Sequence, residues 1–216
     1  HRYSSAASDV YKRQGKGTLA KKLSIDLKWN YLDSGLLYRC YAFFYRKKTQ
    51  KIDQELASLK FNFSDETEQI IWNQTDITQE LRGNEITLLS SELSQRKEVR
   101  KELYLIQKSY HKMPGLIAEG RDMSSTVFPN SKIKIFLTAS IDQRVQRRAN
   151  QLRNAGQKVN ISELKKEIEL RDSRDTERIH SPLSIVEGAI EIDNTYENVE
   201  TTTVSYTHLT LPTNSG

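Results

Sequence analysis

Gly15-Lys16-Gly17-Thr18, opening a stretch of helical spacing, is how a G-x-x-x-x-G-K-[ST] phosphate loop ends. In such a loop, backbone N–H groups cradle phosphates, the lysine reaches the outer phosphates and the hydroxyl residue holds Mg2+. The place of the loop's first glycine is taken by Val10, and no apolar run leads into it. Three further strings set arginine beside carboxylate: Leu32-Asp33-Ser34-Gly35-Leu36-Leu37-Tyr38-Arg39, Gly120-Arg121-Asp122, and Arg171-Asp172-Ser173-Arg174-Asp175-Thr176-Glu177-Arg178. Planar guanidinium forks match phosphate oxygens in pairs. Phosphoryl transfer needs several fixed cations and little covalent chemistry, so the strings together point to that reaction. Each arginine taken singly reads as a surface ion pair, and Asp33 reads equally well as the cap of the following helix or as the holder of a metal-bound water.

The elements that must carry these strings are legible from periodicity. Lys16–Leu27 has a helical period, Trp29–Leu32 is a short strand ending at the polar turn Asp33-Ser34-Gly35, and Leu36–Lys47 is helical again. Residues 59–81 alternate in a strand-like way around a polar turn and form a small antiparallel insert. Helices follow at about Asn84–Ser94 and Glu98–His111, then the strand Leu116-Ile117-Ala118 and the most clearly buried strand, Ile133–Leu137. Ile141–Asn154 is a basic helix, Glu163–Arg171 an amphipathic one, and Ala189–Asp193 a last strand. Short apolar strands alternating with helices predict an α/β fold, a parallel sheet flanked by helices, whose ligands lie where strands end and helices begin.

Composition narrows the partners. The chain has 216 residues, 36% hydrophobic, with a formal net charge of +5. That excess suits either nucleic acid or a pocket for small polyanions. The arginines stand singly beside acids, with no lysine-rich stripe interleaved with aromatics, which favours the pocket and a protein with no nucleic-acid or membrane partner. No apolar run approaches the ~20 residues of a membrane span. A single cysteine, Cys40, fits a reducing cytoplasm, and its flanks read as a packed helix, hence a buried thiol. The four histidines do not cluster, so zinc is not expected.

The two ends share an origin. The reverse complement of a DNA word encoding SSAASDVYKRQ (4–14) encodes VSYTHLTLPT (204–213). Both ends therefore look like translated transposon-end adapter sequence. On this reading residues 1–14 and 204–216 are artefact, residues 15–203 are the native domain, and the first, central strand and the last helix are missing. ATP affinity and turnover are then expected to fall far below those of an intact loop.

In family order, the strings GKGT (15–18), LDSGLLYR (32–39), PGLIAEGRDMSSTVFP (114–129), KIFLTAS (134–140), RVQRRANQL (144–152) and RDSRDTERIHSPL (171–183) resemble the bacterial-type cytidylate kinase family. The resemblance implies ATP-dependent phosphorylation of CMP or dCMP with Mg2+, by a cytoplasmic monomer of P-loop nucleoside monophosphate kinase fold. It further implies a CMP-binding insert at about 59–87 and a helical lid at about 144–178. Gly15, Lys16, Gly17, Thr18, Arg144 and Arg148 would bind ATP, and Thr18 and, through water, Asp33 would hold the metal. Ser34, Arg39, Ser91, Arg100, Arg121, Asp122, Arg171, Asp175 and Arg178 would bind CMP, with Asp122 accepting from the cytosine amino group. Lys16, Arg121, Arg171 and Arg178 would be catalytic, and Arg174 a bystander. Ser124-Ser125-Thr126 departs from the family's glycine followed by small residues. Other readings are a different P-loop kinase of nucleotides or small molecules, or a basic nucleic-acid-binding protein in which GKGT is accidental.

Overall fold

The structure, a computed structural model, describes residues 4–10, 16–64, 67–154, 156–177 and 179–195, with the backbone alone at 4–10, 16, 18 and 19. Its frame is a five-stranded sheet built from β1 (Ser4–Val10), β2 (Asn30–Asp33), β6 (Gly115–Gly120), β7 (Ile133–Thr138) and β8 (Ile190–Asp193), in the order β2-β6-β1-β7-β8. Every pairing is parallel. The chain fills the β2 and β6 side before crossing to β7 and β8, which makes the carboxyl end of β1 the switch point where such sheets bind ligands.

β1 is where the structure departs from the sequence reading. That reading expects the central strand to be missing, but Ser4–Val10 occupies the central place, pairing Ser4↔Gly115 through Asp9↔Gly120 on one side and Ala6↔Ile133 through Val10↔Leu137 on the other. A parallel ladder is made of N–H and C=O groups, which these seven residues possess. The wholly buried β6 and its neighbour β7 would otherwise carry unpaired backbone in the interior. The expectation rested on reading residues 1–14 as translated adapter sequence and on the lack of an apolar run, and the ladder requires only backbone. The last helix expected after residue 198 lies outside the described residues.

Both faces of the sheet are covered, and β6 and β7 carry apolar residues toward each of them, as buried parallel strands do. On β6, Ile117 joins Ala20 and Leu23 of α1 (Lys16–Asp26) and Ile135 and Leu137 of β7. Its neighbours Leu116 and Ala118 join the opposite core with α2 (Ser34–Arg46), α5 (Asn84–Leu93) and α6 (Lys97–Ser109). Asp33 ends β2 and caps α2, its Oδ1 accepting from the Leu36 N–H at 2.8 Å, so the helix begins one residue after the strand.

The insert is a three-stranded antiparallel sheet, β3 (Lys60–Phe63), β4 (Glu68–Trp72) and β5 (Thr75–Asp76), followed by α4 (Thr78–Arg82). It is anchored to α2 by Trp72, which meets Phe43 and Phe44 edge-on at 5.9 and 5.3 Å between ring centroids. α3 (Ile52–Ser58) precedes it. α7 (Ile141–Asn154) and α8 (Ile161–Glu177) pack on each other around a small core of their own, Val145, Ala149, Leu164 and Ile168.

Candidate active site

The strand and helix ends converge on one cleft. It is lined by Asp33, Ser34 and Arg39 from the β2–α2 junction, Ser91 from α5, Arg100 from α6, Arg121 and Asp122 after β6, and Arg171 and Asp175 from α8. These are the acceptor-site residues expected from sequence, apart from Arg178, which lies outside the described residues, as does Gly15. Lys16 and Thr18 open α1, where their side chains are not described. Arg174 is exposed.

Carboxylates hold the guanidinium groups in place. Arg100 pairs with Asp122 and donates through Nη1 to the Ser94 carbonyl at 3.1 Å, while Arg121 donates through Nε to Asp175. Arg39 Nη2 stands 3.6 Å from Asp33 Oδ2, so Asp33 both caps a helix and neighbours a cation. Arg100, Asp122, Arg121 and Asp175 are nearly buried, where leaving either partner alone would be costly. Ser34 is buried and accepts at Oγ from Gln107 Nε2 at 2.8 Å.

Of the residues expected on the ATP side, Arg144 and Arg148 stand on α7 and do not line this cleft. Arg144 is buried on α7 and pairs with Asp172 of α8 at 2.5 Å. Burial raises the Asp172 carboxyl above its ordinary value, and the Arg144 and Arg121 guanidinium groups work against that rise. Arg148 is half-buried and bonds Gln151 at 2.7 Å, and burial lowers its pKa. Arg147 donates to the Asn194 carbonyl at 2.6 Å, tying α7 to the end of β8.

Backbone geometry after β6 answers the departure at Ser124-Ser125-Thr126. Met123–Val127 forms a single π-helical turn, with Val127 N–H on the Asp122 carbonyl at 3.0 Å and Phe128 N–H on Met123. Such turns recur at functional sites. Gly120 permits it: a Cβ there would lie 2.8 Å from Met123 Cγ and 3.2 Å from the Ser34 Cβ.

Glu119 has no role in the sequence reading, yet it is 1% exposed, bonded by the Tyr31 hydroxyl, and its Oε1 would lie 3.2 Å from a Cβ on Gly17. It is also in register with Asp33 on the adjacent strand. Two acids thus stand side by side at carboxyl strand ends, one of them against the first turn of α1. The available signal was an acid ending the otherwise apolar run Leu116-Ile117-Ala118.

A parallel sheet that presents arginines and paired carboxylates beside a glycine-lysine loop is the framework of the P-loop nucleoside monophosphate kinases. A family model for cytidylate kinase matches residues 11–207. A cytidylate kinase from Marinomonas sp. (strain MWYL1) is 40% identical over 195 residues, covering 86% of each chain. One from Stutzerimonas stutzeri (strain A1501) is 39% identical over 196 residues, again covering 86% of each. A solved structure of an uncharacterized protein from Eubacterium ventriosum ATCC 27560 superposes with a TM-score of 0.53 at 12% identity, covering 96% of this chain and 98% of that one, a likeness of fold. The chain belongs to the cytidylate kinase family.

Proposed function

We propose that this protein transfers the γ-phosphoryl group of ATP to CMP or dCMP, as a monomer of the cytoplasm. The observation that carries the proposal is the convergence of Ser34, Arg39, Ser91, Arg100, Arg121, Asp122, Arg171 and Asp175 on a single cleft. A chance set of arginines in a nucleic-acid-binding protein would lie along a surface, unpaired with buried acids. Among the described residues no helix is long and apolar enough to cross a membrane.

Arg39, Arg121 and Arg171, joined by Arg178, clamp the acceptor phosphate and the transferring group. Asp122 accepts from the cytosine amino group, with Arg100 and Ser91 completing the base site. Asp175 holds Arg121 in orientation and reaches the acceptor sugar. On the donor side the N–H groups of Gly15, Gly17 and the start of α1 cradle ATP, Lys16 bridges its phosphates, and Arg144 and Arg148 on α7 close over it. A helix N-terminus favours the phosphate charge.

The residues present fit Mg2+. Asp33 and Glu119, register partners on adjacent strands, would supply carboxylate oxygens, and Thr18 of the glycine-lysine motif its hydroxyl. Mg2+ takes one or two carboxylates, the phosphates and several waters, and when bound it neutralises the charge that develops on the phosphates. Among the described residues there is no larger His, Cys, Asp or Glu group that would suit a different metal.

The test is calorimetric titration of the folded chain with CMP and with AMP, followed by the same titrations on Asp122→Asn. Selective binding of CMP is expected, with Asp122→Asn losing about 1–3 kcal/mol of it. Equal affinity for both nucleotides in the wild-type chain would refute the assignment.

A further inference from the structure

Gln107 breaks the pattern of its own helix. Val99, Leu103 and Gln107 follow at helical spacing on the buried stripe of α6, and Gln107 is 2% exposed where the period calls for an apolar residue. A buried amide costs free energy unless it is hydrogen-bonded. Its bond runs to the acceptor cleft: Nε2 donates to Ser34 Oγ at 2.8 Å, between side chains that are both buried. Ser34 opens α2, lines the cleft, and has Gln107 as its side-chain partner among the described residues.

A hydroxyl has one hydrogen and two lone pairs. Gln107 fills a lone pair and, facing Ser34 with N–H, offers nothing that could take the hydrogen. The Ser34 O–H is left to donate, and it opens on a cleft shared with Arg39, Arg121 and Arg171. A phosphate carries acceptors only, so a hydroxyl free to turn its lone pairs outward would repel it for part of the time. The first turn of α2 and the nearby guanidinium groups already favour an anion there.

We infer that Gln107 is a positioning residue that fixes Ser34 as a hydrogen-bond donor to an oxygen of the acceptor's phosphate. The inference rests on the CMP-site reading above. α6 thereby acts on the substrate through Ser34, without touching it.

The experiment titrates CMP and cytidine into the full chain as wild type, Gln107→Leu, Ser34→Ala and the double variant, with steady-state kinetics and melting temperatures on each. Gln107→Leu is expected to weaken CMP on the order of 10-fold, to leave cytidine unchanged and to raise KM for CMP more than it lowers kcat. In the Ser34→Ala background the same change has no further effect, because no hydroxyl remains to orient. Gln107→Glu, whose carboxylate takes the Ser34 hydrogen, binds CMP more weakly than Gln107→Leu. Should Gln107→Leu fail to fold, Gln107→Met keeps the length of the side chain and serves in its place. Equal losses with and without the Ser34 hydroxyl, or equal losses for CMP and cytidine, make Gln107 a packing residue and overturn the inference. A wild-type chain with no preference for CMP over AMP removes the site reading and the inference with it, whereas CMP selectivity with additive variants removes the inference alone.

Discussion

The Cys40 thiol is fully buried in α2, and burial pushes its pKa up to about 12. The thiolate is the reactive form, so the folded protein is expected to leave Cys40 untouched by a disulfide reagent at pH 8 while the unfolded chain reacts fully. Rapid native labelling would contradict the packing of α2. The buried thiol was legible from its apolar flanks, as were Ser34, Arg39, Arg121 and Asp122 from strings in which arginine, acid and glycine recur together. Glu119 was not. Its meaning depends on lying beside Asp33 on the next strand, a relation between residues far apart in the chain that no local spacing encodes. Gln107 is intermediate: a polar residue on an apolar helical stripe is a visible anomaly, but its partner is not.

α2 joins the cleft to the insert. Its first turn supplies Ser34 and Gly35, and its far half presents Phe43 and Phe44 to Trp72. Phe44 is fully buried, so Phe44→Ala leaves a cavity as well as losing burial. A loss of about 3–5 kcal/mol is expected in denaturant unfolding, and a cost below 1 kcal/mol would mean that the insert does not depend on this contact. Elements of this length announce themselves: α1, α2, α6 and α7 each repeat their apolar face often enough for the period to be read. α3 and α4, of seven and five residues, are too short to show a period: α3 went unread, and most of α4 was read as the end of the strand-like insert at 59–81. The π-helical turn at Met123–Val127 was noticed only as a missing glycine, because an i→i+5 turn has no sequence signature of its own.

Across the molecule, the sheet is continuous only because β1 bridges β6 and β7. Proline there removes an N–H from a ladder with neighbours on both sides, so Ala7→Pro is expected to cost about 3 kcal/mol or more, read as a lowered unfolding midpoint by circular dichroism. An unchanged midpoint would show that residues 4–10 carry no part of the sheet. The parallel α/β class was legible because short apolar strands alternate with helices along the chain. The central strand was not, since residues 1–14 read as translated adapter sequence and backbone pairing leaves no mark on composition. The cleft that this sheet supports has a further property. Arg39 and Arg121, two of the arginines given to the acceptor phosphate, each already keep company with an aspartate. An arriving phosphate therefore meets something closer to an internal salt than to a bare cationic hole, and it docks as a second anion beside a guanidinium that its aspartate already holds in place. The aspartates have already offset much of the cationic charge before the phosphate arrives. Admission to the cleft is then governed by the fit of oxygens to fixed forks, and only weakly by the long-range field of a +5 protein.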